Sequence, residues 1–267
     1  MFRSGSFEAA RRRYDEIAER IAVPGTARLM RALAELYRAW CDLDLAGLPD
    51  AVGRVEAALR HGRRELTNAT AQTIDRQLAF VRQLAVGDAV AFVVCFYVLG
   101  QHYQRLGRHD FAALLFYRTV EACLTTRLRY QYPGFDPDNC DWALVGEPSQ
   151  VRTKYADVGR SLDPPSTSAP PNKLTLFAAA IMLASLGDDL AVRSGLVDPI
   201  RLGQLRERTW ARNKSVLAHG TQPIPASDTE SLRREAAGLL IAFWALHGGP
   251  DDLDELCGQL RFLRQDR

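Results

Sequence analysis

Alternating strand patterns, metal-binding signatures and long apolar runs are all missing from this chain of 267 residues, and each absence removes a class of answers. Without alternation of apolar and polar residues there is no sheet to build, and in particular no strand–helix succession of the kind an α/β domain requires. The five cysteines, Cys41, Cys95, Cys123, Cys140 and Cys257, are scattered and never form a CxxC pair. They suggest neither a disulfide framework nor a zinc site, and they fit a reducing, cytoplasmic compartment. No HxH, HExxH or run of carboxylates on a helix face offers a metal site, so no metal or other cofactor is expected. Asp188-Asp189 and Asp251-Asp252 come nearest, and both read better as helix starts. The longest apolar run, Ala89 to Leu99, falls well short of the ~20 residues of a spanning helix, and no leader with a small-residue cleavage site opens the chain. A buried helix and no membrane partner are expected. Lysine is nearly absent, with three residues among the 34 basic ones, a compositional bias that lowers the weight of any single arginine.

What is there is ordinary for a globular protein: 47% hydrophobic and 25% charged residues, enough for one large core or two smaller ones. The formal net charge of +2 makes no global case for nucleic-acid binding. Any such case must rest on local clustering.

Periodicity predicts helices almost throughout. Phe7 to Ala22 carries an apolar side ended by Val23-Pro24-Gly25, and Thr26 is placed to cap the next helix through Met30 and Trp40. Gly47 to Pro49 separates a third helix, Val52 to Leu59, and a long pattern follows His61-Gly62 as far as Gly87-Asp88. Ala89 to Leu106 and Asp110 to Arg129, joined at Gly107, form a helical hairpin. Within it Phe96, Leu99, Gly100, Tyr103, Ala112 and Phe116 fall at the spacing of a tetratricopeptide unit. An echo at Leu33 to Ala46 is faint and no third copy exists, so two hairpins of an α-bundle are preferred to a solenoid. Residues 131–147 read as irregular, and the Pro-rich stretch 159–172 as a mobile loop. Helices resume at Leu174, at Asp198-Pro199 as N-cap and N1, at Ser227 with Glu230 as a capping box, and at Leu253 to Leu263. The expected division is an N-terminal helical segment, 1–62, followed by a helical domain over 63–267.

The most informative stretch is Arg212-Asn213-Lys214-Ser215-Val216-Leu217-Ala218-His219-Gly220. Seven steps make two helical turns less about 20°, so Arg212 and His219 share one face. Arg201, Arg206, Arg208, Arg212 and Lys214 stand in this helix against Glu207 alone, a field that would attract a polyanion. A His capping a helix C-terminus before Gly220 is the plainer reading of the same residues.

That stretch resembles the signature of HEPN ribonucleases, in which an Arg, usually followed by a polar residue, is separated from a His by four to six intervening residues, six of them here. Gly107-Arg108-His109-Asp110-Phe111-Ala112, then Phe116-Tyr117-Arg118-Thr119-Val120-Glu121, extend the likeness over roughly residues 60 to 250 to the C-terminal half of type III CRISPR-associated CARF-HEPN ribonucleases. The resemblance implies an all-α fold, a HEPN-type helical bundle preceded by additional helical hairpins. It also implies an endoribonuclease of CRISPR-linked antiviral defence whose composite site forms at a homodimer interface. Relatives carry a CARF sensor for cyclic oligoadenylate. No run here reads as one, so that messenger would act only through a sensor domain absent from this chain, or the protein stands alone.

RNA carries its own nucleophile in the 2′-OH, so cleavage of a single strand needs only a proton acceptor, a donor and cationic stabilisation of the phosphorane. A histidine titrating near neutrality and a planar guanidinium supply these without a metal. Seven residues span about 10 Å along the axis, too far for Arg212 and His219 of one helix to grip one phosphate. Antiparallel packing of two copies would bring Arg212 of one beside His219 of the other. The candidate catalytic residues are therefore Arg212, His219 and Asn213, and the candidate RNA-binding residues Arg208, Lys214 and Ser215. Asn213 reads equally as a surface residue. A non-catalytic helical adaptor or antitoxin-like HEPN module, and a nucleotide-binding partner module, stay open as alternatives.

Overall fold

The computed structural model describes residues 6–18, 25–166, 169–213 and 223–263, the side chains at 17–18 and 210–213 excepted. It is all-α among these residues, and the chain divides into two compact units, Met1–Phe92 with Asp252–Arg267, and Val93–Asp251.

The first unit holds α1 (Phe7–Ala18), α2 (Gly25–Cys41), α3 (Leu48–Gly62), α4 (Asn68–Ala85) and, from the far end of the chain, α12 (Leu253–Gln259). Its centre is aromatic. Phe7, Tyr37, Trp40 and Phe262 pack with ring centroids 4.5–5.5 Å apart, and Phe80 joins through Trp40 at 5.5 Å. A buried polar chain runs beside the rings. Tyr37 donates to Gln77 Oε1 at 2.7 Å, and Gln77 Nε2 donates to the carbonyls of Gln259 and Arg261 at 3.0 and 2.7 Å. Gln77 is thus satisfied without water, which is what makes its full burial tolerable. Thr26 does not cap α2. The helix starts one residue earlier, and the Thr26 N–H and hydroxyl both donate to the Glu65 carboxylate.

The second unit contains α5 (Ala89–Arg105) from Val93 onward, α6 (His109–Gln131), α7 (Pro148–Arg160), α8 (Leu176–Ser185), α9 (Asp189–Arg193), α10 (Pro199–Asn213) and α11 (Ala226–His247). Helix α6 is the axle. It is buried along most of its length, from Ala112 to Leu128, with α8, α10 and α11 packed on it. The α5–α6 hairpin closes through Gly107 at φ +71°, a conformation that costs a side-chain-bearing residue and costs glycine little. At Gly100 the helices touch so closely that a Cβ would lie 2.6 Å from the Phe116 ring. This small-against-large contact accounts for the tetratricopeptide-like spacing inside a bundle.

Between α6 and α8 the structure departs from expectation. Helix α7 was hidden between two irregular stretches, yet it has the residues to start: Glu147 accepts from Gln150 N at 2.9 Å and Pro148 occupies the first turn. The described parts of the Pro-rich connection that follows are hydrogen-bonded to their surroundings. Ser166 N bonds to the Gly159 carbonyl at 2.8 Å, and Cys140 N and Leu174 N clip the two connections together through Asn172 and Pro137 carbonyls at 2.7 and 2.8 Å. Arg206 of α10 donates to the carbonyls of Asp163 and Pro164.

Among the described residues no helix is long and apolar enough to cross a membrane, and all five cysteines are free thiols.

Candidate functional site

Helix α10 begins where the sequence places it. Pro199 is its first residue, and the Asp198 carboxylate accepts from Ile200 N at 3.0 Å. Leu202, Leu205 and Thr209 turn inward and are buried, the Thr209 hydroxyl satisfied by the Leu205 carbonyl at 2.8 Å. These three define an arc of about 60° facing α6, α8 and α11, and Arg201 and Arg208 stand at its edge, about 20° apart.

Those two arginines meet one acid. Glu235, on the α11 side facing α10, is 2% exposed and takes both. Its Oε1 accepts from Arg201 at 2.5 Å, and its Oε2 accepts from Arg201 at 2.9 Å and from Arg208 at 2.6 Å. The arginine side chains keep 27% and 39% of their exposure, so the cluster is buried on the acid and wet on the bases. Helix α10 is therefore less of a free cationic field than its composition suggests. Arg201 and Arg208 share a counter-charge, and Arg206 points the other way, to carbonyls and over the Phe177 ring at 5.7 Å. One positive charge is left over between Arg201, Arg208 and Glu235.

Of the candidate residues, Arg208 is described in full and is anchored on Glu235. Arg212 and Asn213 lie in the last described turn of α10, one turn or slightly more beyond Arg208. Lys214, Ser215 and His219 lie outside the described residues. Where the chain is described again, Ile224 is buried and its N–H donates to Asp110 Oδ1, in the first turn of α6, at 3.1 Å. Pro225 then starts α11. The capping box expected of Ser227 and Glu230 does not form, because both already lie within the helix. Glu230 instead receives Gln104 of α5 at 3.0 Å and Arg233, whose guanidinium holds its carboxyl down at about 2.

A second polar cluster occupies the opposite end of α11. Arg127 of α6 chelates Asp188 through Nε at 3.0 Å and a terminal nitrogen at 2.9 Å, and its other terminal nitrogen lies 3.2 Å from His247 Nε2. Asp188 also caps α9 by accepting from Leu190 N at 2.8 Å, as a helix-start residue should. Burial, and then the Arg127 charge, hold the His247 imidazole below its ordinary range. Among the described residues no group of three or more His, Cys, Asp or Glu side chains is placed to hold a metal ion.

Glu235 and Asp110 had a partial signal in the sequence. Glu235 interrupts the inward positions Leu232, Ala236, Leu239 and Leu240, and an acid on an apolar face must find a cation. Which cation it finds depends on a helix some thirty residues away. Asp110 stood inside a quoted motif without any sign that it receives a backbone N–H from beyond the motif helix.

No curated protein matches the chain at a meaningful level. Residues 89–242 match the family described as the Csm6 HEPN domain, a span that covers more than half of the chain, falls almost wholly within the second unit and includes α10 and the Arg212–His219 segment. An all-α second unit agrees with that match, and the chain belongs to the Csm6 HEPN family.

Proposed function

We propose that the protein is a CRISPR-associated endoribonuclease that cleaves single-stranded RNA by internal attack of the 2′-OH. Arg212 and His219 are the catalytic residues, Asn213 orients them, and Arg208, Lys214 and Ser215 bind the strand. The observation that carries this reading is the family match across the Arg212–His219 segment. His219 moves the proton and Arg212 binds two phosphate oxygens as charge builds on the phosphorane. No step requires a metal. The ~10 Å axial offset between the two residues is met by a homodimer in which each site takes Arg212 from one protomer and His219 from its partner. The leftover positive charge around Arg208 gives the RNA backbone a place to dock. A reducing, cytoplasmic setting suits the free thiols.

The test is cleavage of a single-stranded RNA in excess EDTA, with analysis of the ends. The expected products carry 2′,3′-cyclic phosphate and 5′-OH, and a DNA strand of the same sequence is inert. His219→Ala should cost roughly 10²-fold or more, and Arg212→Lys should fail because an ammonium lacks the bidentate fork. Mixing Arg212→Ala with His219→Ala chains should restore part of the activity, since one site of each heterodimer keeps both groups. Activity lost with the metal and regained on adding a divalent ion would overturn the mechanism, and a mixture as dead as its parts would overturn the shared site.

A further inference from the structure

We propose that Glu235 is a positioning residue for the Arg212–His219 site, and the proposal rests on the ribonuclease reading above. Clamping Arg201 and Arg208 together, it fixes the rotation and axial register of α10 against α11 and so determines where Arg212 stands.

Leu202 and Leu205 bury α10 and Arg206 ties another side of it to the Asp163 and Pro164 carbonyls, but toward α11 apolar contact is non-directional, and a helix seated there only on leucines can rotate or slide by fractions of an ångström at little cost. Three charge-assisted hydrogen bonds to one buried carboxylate are directional. Arg201 and Arg208 lie about 10 Å apart along the helix and reach Glu235 from opposite directions, which opposes sliding either way. Arg212 follows Arg208 by about 6 Å on nearly the same face, so error in the clamp passes to it directly. Stability alone does not call for such a group, because apolar residues of similar volume commonly replace a buried ion pair without loss. Catalysis does, since a misplacement of 1 Å can cost about 10²-fold.

The two arginines are partly exposed and would rehydrate if the acid were removed, so the variant should stay folded. It would also leave Arg208 without its counter-charge. The expected signature therefore has opposite signs: slower chemistry and tighter RNA.

The experiment compares wild type with Glu235→Gln, nearly the same in shape but uncharged, and with Glu235→Asp, charged but one methylene shorter. Expected for Glu235→Gln is a kcat at least about 10-fold lower with KM for single-stranded RNA unchanged or reduced. Amide hydrogen exchange should be faster over residues 199–213, with the melting temperature little changed. Glu235→Asp should recover part of kcat. A folded Glu235→Gln protein with wild-type kcat and exchange overturns the proposal. So does a kcat loss that only tracks the folded fraction with a raised KM. If Glu235→Gln fails to fold, Arg201→Met removes one arm of the clamp and leaves the Arg208 pair. It should lower kcat several-fold, and no change overturns the proposal. If the wild-type protein cleaves no RNA, the ribonuclease reading fails on its own. The exchange rates over 199–213 then decide the clamp, faster supporting it and equal sinking it.

Discussion

Two ion clusters sit on α11, and they are built in opposite ways. At the His247 end one guanidinium, one carboxylate and one imidazole use each other up: Arg127 bonds through all three nitrogens, and its side chain and that of Asp188 are 11% and 5% exposed. At Glu235, near the middle of the helix, two arginines serve one acid, and both keep a wet side. The first arrangement is electrically closed and holds α6, α9 and α11 together. The second leaves a positive charge facing solvent on the helix that leads to Arg212. Closure is what a structural pair needs, because an unmatched buried charge is costly. Excess is what a site for a polyanion needs, because spare charge is what a phosphate can use.

The largest expected effect comes from opening the closed cluster. Arg127→Ala strands the nearly buried Asp188 carboxylate and should cost roughly 3–5 kcal/mol of stability by urea unfolding. The folded fraction should still cleave RNA at the wild-type rate. An Arg127→Ala protein as stable as wild type would show that the two clusters do not differ in the way argued.

A smaller effect separates the two arginines of the open cluster. Arg208 gives one nitrogen to Glu235, whereas Arg201 gives two and is the more covered. Arg208→Gln should therefore weaken single-stranded RNA binding and reduce the slope of log affinity against log salt by about 0.7, the share of one phosphate. Arg201→Gln should reduce it less, because Arg201 is the more covered and already gives both terminal nitrogens to Glu235. Equal slopes for both variants would mean that the spare charge does not belong to Arg208.

How much of this was readable depended on the distance over which each choice is made. Local chemistry was legible: Asp198-Pro199 starts α10, Asp188 and Asp252 cap α9 and α12, and Gly107 closes the α5–α6 hairpin. Caps failed where tertiary partners outbid local ones. Thr26 goes to Glu65, and Glu230 to Gln104 and Arg233. Helix α7 was obscured because turn residues crowd both its ends, although Glu147-Pro148 carried a start signal. The Arg212–His219 segment stood out through its likeness to a family signature, and the family match spans it. The clamp on it did not, because only the packing of α11 against α10 pairs Glu235 with Arg201 and Arg208. Counting the arginines of α10 alone likewise could not show that Arg201 and Arg208 share a counter-charge in Glu235.

The smallest expected effect tests whether the closed cluster has a pH limit that the open one lacks. Arg127 donates toward His247 Nε2, so the imidazole accepts there and must be neutral at that atom. Burial and the Arg127 charge depress its folded pKa below 6.5, whereas the unfolded chain keeps the ordinary value. Between the two values the unfolded state binds more protons, so stability rises with pH through that window. The contribution is whole above about pH 6.5 and is lost as pH falls from there toward the folded pKa. Urea unfolding of wild type at pH 7.5 and pH 5.5 should show lower stability at the acid end. His247→Gln should flatten that part of the difference, because an amide oxygen can accept from Arg127 without titrating. Glu235→Gln should leave it in place. If the slope survives His247→Gln intact, another group carries it, and the closed cluster does not set the acid limit of the fold.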